Sequence, residues 1–208
     1  MLNSNPRSIV LAALLLVATH SSVEAQARFG IKGGVALANV YGDAVGNVEL
    51  RNGITGGAFL EIPATPVLSA QFEALFTQKG AIENALIDLG GGVTLTEGTW
   101  AYDYIDIAAL LKATFGDNVR ISIYGGPVYS TLLSATAEGG GEEFDIKDLT
   151  KSSDIGGAGG VSLEFSRGFL VDVRYAFGTQ AFDEPPLDLV YARQHNVIHA
   201  MVGLAIGR

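Results

Sequence analysis

The sequence predicts an all-β fold, an eight-stranded antiparallel up-and-down barrel, and three observations lead to this prediction. From Arg28 onward, segments of about ten to fourteen residues alternate between apolar and polar side chains, which is the pattern of a strand with two different faces. These segments number eight, and the connections between them alternate between short and long. No amphipathic helical stretch of comparable length competes with them.

The N-terminal segment is predicted to be a secretory signal peptide. Arg7 supplies a positive charge, Ile9–Ala18 form a short apolar run, and small residues in Val23–Ala27 offer two overlapping cleavage patterns. The apolar run is well short of the roughly 20 residues that a membrane-spanning helix needs, which argues against an anchor. An N-terminal core helix is the other alternative. We therefore assign residues 1–25 to the signal peptide and residues 26–208 to one barrel domain.

The eight predicted strands share the period-two alternation. They are Phe29–Tyr41, Gly53–Ile62, Val67–Lys79, Trp100–Phe115, Val119–Ala135, Ile155–Phe165, Phe169–Phe182 and Asn196–Arg208. The short connections are Pro63–Pro66, Gly116–Asn118 and Ser166–Gly168, and the long ones are Gly42–Asn52, Gly80–Thr99, Thr136–Asp154 and Ala181–His195. Tight periplasmic turns and four longer extracellular loops are typical of outer-membrane barrels, with both termini in the periplasm. Residues 142–153 are also compatible with a helical turn inside the third long loop.

The polar face of the strands favours a membrane barrel over a soluble one. A soluble lipocalin-like barrel would alternate as well, with its apolar face inside. Here the polar face carries few charges and many small residues, as in Gly30, Lys32, Gly34 and Ala36. Such a face suits the narrow lumen of an eight-stranded barrel, where side chains fill the interior. A closed barrel also satisfies every backbone hydrogen bond, as hydrocarbon requires.

Composition limits the partners of the chain. The net charge of −9 argues against nucleic acid, whose recognition needs basic patches. The absence of cysteine excludes disulfides and thiolate metal sites. We expect a monomer in the outer membrane whose partners are membrane lipid and lipopolysaccharide, the barrel-assembly machinery during insertion and an extracellular ligand at the loops. We expect no cofactor and no metal.

The inward parity predicts a charge network in the lumen. Its members are four cations and five carboxylates: Lys32, Glu61, Glu73, Asp106, Lys112, Arg120, Glu164, Asp172 and Arg174. Near-balance is what a buried network needs, because an unpaired interior charge costs several kcal/mol. Glu73 and Lys112, on neighbouring strands, are expected to belong to one network. The alternative interpretation of these residues is a narrow path for ions or small solutes.

Five segments resemble strands of the outer-membrane β-barrel domain family often described as porin family or PorT-like, about the size of OmpX. They are GIKGGVALANVYG (30–42), FEALFTQKG (72–80), YIDIAALLKATFG (104–116), IYGGPVY (123–129) and VDVRYAFG (171–178). The resemblance covers nearly all of the chain after the signal peptide. It implies a barrel in the outer membrane and says little about activity. The chain has Ala108 where the family often has proline, and Arg208 where a final aromatic residue is usual.

The sequence offers little for catalysis. Only His195 and His199 follow the signal peptide, the first placed at the end of the last long loop and the second in the lumen. Some outer-membrane barrels are lipid-modifying enzymes or proteases that use His with Ser or Asp, but no His-x-Ser pair occurs here. The glycines of GGAGGV (156–161) lead into a strand, where close strand packing explains them better than phosphate binding. We therefore predict no catalytic residue.

The loops and aromatic residues complete the prediction. The long loops are acidic, which suits either a solvated surface or divalent cations bridging lipopolysaccharide. Tyrosine and tryptophan residues lie mostly towards strand ends, where interfacial anchoring explains them. These residues are Trp100, Tyr102, Tyr104, Tyr129, Tyr175 and Tyr191. The favoured function is a structural or surface-interaction barrel, with the narrow channel and the barrel enzyme as alternatives.

Overall fold

The computed structural model describes residues 26–42, 48–88, 93–139, 142–180 and 193–207. The described residues form nine strands and one short 3₁₀ helix. The strands are β1 (Arg28–Gly42), β2 (Val48–Pro63), β3 (Leu68–Asp88), β4 (Val93–Phe115), β5 (Val119–Gly139), β6 (Glu142–Asp145), β7 (Ser153–Phe165), β8 (Phe169–Gly178) and β9 (Arg193–Ile206), and the helix is Lys147–Leu149. The predicted signal peptide, residues 1–25, lies outside the described residues.

All strands except β6 close into an antiparallel barrel. Each pairs with its neighbours in the chain, and β5 pairs with β7 beyond the short β6. The ring closes where the first strand meets the last, with Phe29 opposite Ile206 and Gly42 opposite Arg193. The predicted eight-stranded antiparallel up-and-down barrel is therefore confirmed.

The two faces of the wall follow the predicted parity. Leu111 points outward and is 65% exposed, whereas Thr77, of opposite parity in the neighbouring strand, is 0% exposed. Large apolar side chains such as Ile31, Ile54 and Ile123 also lie exposed on the outside. An apolar exterior would be unfavourable in water, and it matches the hydrocarbon that surrounds a membrane barrel.

The strands are longer than the sequence predicted. The predicted loop Gly80–Thr99 is wrong over most of its length, since β3 and β4 stay paired from Gly80 opposite Ala101 to Asp88 opposite Val93. β2 likewise begins at Val48 and β9 at Arg193. A strand crosses the hydrocarbon with about 9–11 residues. The 21 residues of β3 and the 23 of β4 therefore form a hairpin that extends well beyond the membrane.

The third long connection also contains regular structure. β5 continues to Gly139, and β6 pairs back onto it, with Glu138 opposite Glu143. The predicted helical turn is present as Lys147–Leu149. Between β4 and β5 the register shifts, because Asp103 faces Ser134 while Tyr104 faces Leu132. This bulge leaves one extra residue in β5 and changes the parity of its outer part.

The other end of the barrel carries the first and last described residues, Gln26 and Gly207, and the tight turns. Gly116 and Gly168 have φ of +90° and +80°, conformations that glycine adopts without steric cost. We call this the short-turn end and the opposite one the long-loop end. In the ranges that the structure covers, no helix is long and apolar enough to cross a membrane. The predicted strand ends at Phe182 and Arg208 fall outside those ranges.

Candidate functional site in the barrel lumen

The structure places the nine predicted lumen residues on the inner face of the barrel. Eight of them are buried, namely Lys32, Glu61, Glu73, Asp106, Lys112, Glu164, Asp172 and Arg174. The ninth, Arg120, lies near the short-turn end with its side chain 32% exposed. Their ion pairs fall into three groups along the barrel axis.

The central cluster consists of Lys32, Glu73, Tyr124, Asp172 and Arg174. Lys32 Nζ lies 2.8 Å from Glu73 Oε1 and 3.5 Å from Asp172 Oδ2. Arg174 binds the other oxygen of Glu73, so that one carboxylate pairs with two cations and Asp172 supplies the second negative charge. The hydroxyl of Tyr124 donates to Asp172 Oδ1 at 2.7 Å. These contacts join β1, β3, β5 and β8 across the lumen.

The space for Tyr124 depends on a glycine in the facing strand. A Cβ atom at Gly160 would lie 2.5 Å from the Tyr124 hydroxyl and 2.5 Å from the Val173 carbonyl oxygen. Gly160 therefore lets the tyrosine ring reach Asp172. This geometry supports close packing as the reason for the glycines of residues 156–161.

The mouth cluster lies at the short-turn end and consists of Arg28, Glu61, Lys112, Arg120 and Glu164. Glu61 Oε2 lies 3.0 Å from Lys112 Nζ and 3.6 Å from Arg28 Nη1. Glu164 Oε1 accepts from Arg28 and, at 3.3 Å, from Arg120 Nη1. This cluster contains three cations and two carboxylates.

A glutamine connects the mouth and central clusters. Lys112 Nζ donates to Gln71 Oε1 at 3.1 Å, and Gln71 Nε2 donates to Glu73 Oε1 at 2.5 Å. The stagger of the strands separates Glu73 from Lys112, because Glu73 faces Ala108 while Lys112 faces Ser69. Their expected connection therefore runs through Gln71.

The upper cluster, Lys79 with Asp106 and Ser130, lies towards the long-loop end. Lys79 Nζ is 2.9 Å from Asp106 Oδ1 and donates to Ser130 Oγ at 2.9 Å. Ser130 in turn donates to the same carboxylate oxygen at 2.5 Å. The ammonium group also lies 4.5 Å from the centre of the Tyr104 ring, a favourable cation–π distance.

Apolar and aromatic side chains fill the lumen above the upper cluster. This aromatic plug contains Val40, Ala81, Tyr102, Tyr104, Leu132 and Ala135, with Trp100 and Ile146 packed against it. The predicted interfacial role is therefore wrong for Tyr102 and Tyr104, which are buried inside the barrel. Tyr129 and Tyr175 do point outward, and each is 48% exposed. Tyr191 lies outside the described residues.

The two histidines that follow the predicted signal peptide, His195 and His199, both lie in the lumen. His195 was expected in a loop, but it belongs to β9 and is buried, with its ring edge-on to Tyr102 and Tyr104 at centroid distances of 5.0 and 5.7 Å. His199 has the expected inward parity, and its Nδ1 forms no hydrogen bond with any described residue. Among the residues that the structure describes, no group of three or more His, Asp or Glu side chains is arranged to hold a metal ion.

The predicted network lacks five participants in the contacts described above: Arg28, Gln71, Lys79, Tyr124 and Ser130. All five have inward parity, and this parity is the sign in the sequence that could have identified them. With Arg28 and Lys79 added, the lumen ion pairs described above join six cations to five carboxylates.

A closed eight-stranded barrel with an apolar exterior and a lumen of paired charges defines the class of outer-membrane barrel proteins. Residues 19–181 match the model of the outer membrane protein beta-barrel domain family, and the chain belongs to this family. It is therefore an integral protein of the outer membrane. The narrower resemblance to PorT-like proteins stays a prediction.

Solved structures with similar folds include three outer-membrane proteins. Neisserial surface protein A is 14% identical, with 85% of this chain and 96% of that chain covered and a TM-score of 0.51. Ail from Yersinia pestis is 14% identical, covering 87% and 99%, with a TM-score of 0.46. OprG from Pseudomonas aeruginosa is 10% identical, covering 88% and 97%, also with a TM-score of 0.46. No curated protein matches the chain.

Proposed function

We propose that this outer-membrane barrel has a structural and surface-interaction role, with a lumen closed to ions and a long-loop end that contacts other molecules outside the cell. The observation that carries the proposal is the filling of the lumen. The charge clusters occupy it from the short-turn end to its middle, and the aromatic plug occupies it towards the long-loop end.

Two features of the filling oppose ion flow. Lys32 and Arg174 are both bound to Glu73, so an ion could enter only by replacing pairs whose loss is costly. Beyond them, Tyr102 and Tyr104 present apolar rings to the axis of the barrel, where an ion would lose its hydration. A narrow channel is the alternative function. In that case the same lumen residues would line the path of the ions, so variants of these residues distinguish the two functions.

Planar-bilayer recording tests the closed lumen. We expect no discrete conductance steps from the purified protein in lipid. Steps that change in size or ion selectivity with Lys112→Gln would support the channel instead. Glu143→Gln is the control, because Glu143 is exposed and its charge lies outside the lumen.

The long-loop end supports the interaction part of the proposal. The β3–β4 hairpin and the β5–β6 ribbon carry paired backbone beyond the length needed to cross the membrane. Exposed acidic side chains cover the ribbon, namely Glu138, Glu142, Glu143 and Asp145. Acidic charge disfavours polyanionic partners at this surface. It suits a cationic ligand, or lipopolysaccharide approached through divalent cations.

Cysteine labelling tests which end faces outward. The natural chain has no cysteine, so a single introduced thiol is the only target of a maleimide. Glu143→Cys at the long-loop end should react with a membrane-impermeant maleimide on intact cells, and Asn118→Cys at the short-turn end should not. Both positions are exposed, so both should react after the cells are opened. The reverse pattern on intact cells would invert the proposed orientation.

We propose that the barrel is a monomer without a catalytic role. His195 is packed against tyrosine rings, and His199 lies among lumen side chains, so neither is presented at an open surface. The outer wall offers apolar side chains around the barrel, which lipid covers. Insertion is proposed to depend on the barrel-assembly machinery.

A further inference from the structure

A cavity of about 800 Å³ opens at the short-turn end of the barrel, next to the mouth cluster. Three arginines line it, Arg28, Arg120 and Arg167, against two carboxylates, Asp117 and Glu164. Lys112 and Glu61 lie outside the lining of the cavity and pair with each other, so together they add no net charge. The cavity therefore carries an excess of one positive charge in a protein whose net charge is −9.

The arginines of the mouth cluster have donors to spare. Arg28 is buried, yet its Nη1 forms no hydrogen bond among the described residues and lies 3.6 Å from Glu61 Oε2. Arg120 makes single contacts, at 3.3 Å to Glu164 and 4.0 Å to Glu61, and keeps a third of its side chain exposed. A guanidinium group has five N–H donors in a planar fork, and phosphate oxygens accept such donors in pairs.

Glu164 acts as the internal counter-ion of this site. A single oxygen, Oε1, accepts from both Arg28 and Arg120. An external anion with several oxygens would give each guanidinium its own acceptor. The apolar rim of the cavity adds a second preference, because Leu204, Ile206 and Phe165 are exposed on the lipid side of the barrel.

We propose that the short-turn mouth is a phosphate-binding site formed by Arg28, Arg120 and Arg167. The phosphate group is either free inorganic phosphate or the headgroup phosphate of a lipid whose chains lie along the apolar rim. The chemistry at the arginines is the same for both sources. A lipid bound there would fix this end of the barrel at the surface of its leaflet.

Nuclear magnetic resonance titration of the full-length protein tests the site. The protein is held in a maltoside detergent, whose headgroup contains no phosphate. Inorganic phosphate is added in one arm and dihexanoyl phosphatidic acid in the other. We expect saturable shifts of the amide signals of Asn118, Gly168 and Gly207, which line the cavity, and none at Thr150 near the long-loop end. Saturation by inorganic phosphate identifies a free-anion site, and saturation by the lipid alone identifies a headgroup site.

Two variants with opposite expected effects give the decisive comparison. Arg120→Gln should weaken binding about tenfold, because it removes one charged hydrogen-bond donor. Glu164→Gln should strengthen binding, because it removes the competing carboxylate. Lys147→Gln, which removes an exposed cation at the long-loop end, should change nothing. Heat-modifiable gel mobility checks that each variant folds.

Two outcomes would overturn the site. One is the absence of saturable shifts with both probes in the folded wild type. The other is equal weakening by Arg120→Gln and Lys147→Gln, because binding would then report overall charge and not this cavity.

Discussion

The central cluster and the aromatic plug fill the same lumen at different heights and by different physical means. The central cluster uses few contacts of high directionality, with Glu73 shared by Lys32 and Arg174. The plug uses many weak contacts between apolar and aromatic surfaces. A narrow lumen can therefore be filled in two ways, either by ion pairs that neutralise one another or by apolar side chains that occupy the volume. Removing one charge from the central cluster is expected to lower the free energy of unfolding sharply. Removing side-chain volume from the plug is expected to lower it in proportion to the volume lost.

The largest expected effect is in the central cluster. Glu73→Gln leaves two buried cations without their shared carboxylate, and we expect a loss of about 3–5 kcal/mol in the free energy of unfolding. This loss is measured by urea unfolding in lipid vesicles, with the folded fraction monitored by gel mobility. Glu143→Gln at the exposed ribbon should stay within about 0.5 kcal/mol of the wild type. Equal stabilities for the two variants would mean that neutrality does not hold the centre of the barrel together.

A graded response is expected in the plug. Leu132 is buried there, so Leu132→Ala should cost about 2–3 kcal/mol through lost contacts and a cavity. Leu132→Met nearly conserves volume and should cost less than about 1.5 kcal/mol. The same unfolding assay distinguishes them. If methionine were as damaging as alanine, shape or polarity rather than volume would control the plug, and the contrast with the central cluster would be weaker.

The smallest expected effect concerns how far the central cluster reaches. A double-mutant cycle on Glu73→Gln and Lys112→Gln should show a coupling of about 0.5–3 kcal/mol, carried by Gln71. The pair Glu73 and Lys79 is the control. These residues are six positions apart in β3, roughly 20 Å along the strand, and should be additive within about 0.5 kcal/mol. Coupling in the control pair would show that the lumen responds as one unit.

The sequence predicted the membrane-spanning part of the barrel well, because there each strand separates hydrocarbon from a packed lumen. That contrast produced the parity that identified Leu111 as outward and Lys32 as inward. Beyond the membrane the outer face of a strand meets water instead of hydrocarbon, so the alternation weakens. The sequence after Gly80 therefore predicts a loop, although these residues of β3 are paired with β4.

The wrong predictions for residues of the lumen also come from misplaced strand ends. The sequence predicts an interfacial position for Tyr102 and Tyr104 because the predicted strand begins at Trp100, whereas β4 begins at Val93. Their parity, shared with Asp106, already indicated the lumen. The predicted network lacks Arg28 because the predicted first strand begins at Phe29. The bulge that separates Asp103 from Tyr104 in register has no clear sequence pattern and could not have been predicted.

The pairing of β1 with β9 has a consequence for the order of assembly. Phe29 and Ile206 come from opposite ends of the chain, so the ring cannot close until the last strand has been made and delivered. Lys32 can find Glu73 early, but Asp172 and Arg174 arrive only with the penultimate strand. Until then the interior is open and incompletely neutralised, and contacts between such distant parts of a chain form slowly. A partly assembled barrel therefore has to be protected from both water and lipid. This protection is needed until the hairpin of β8 and β9 is in place.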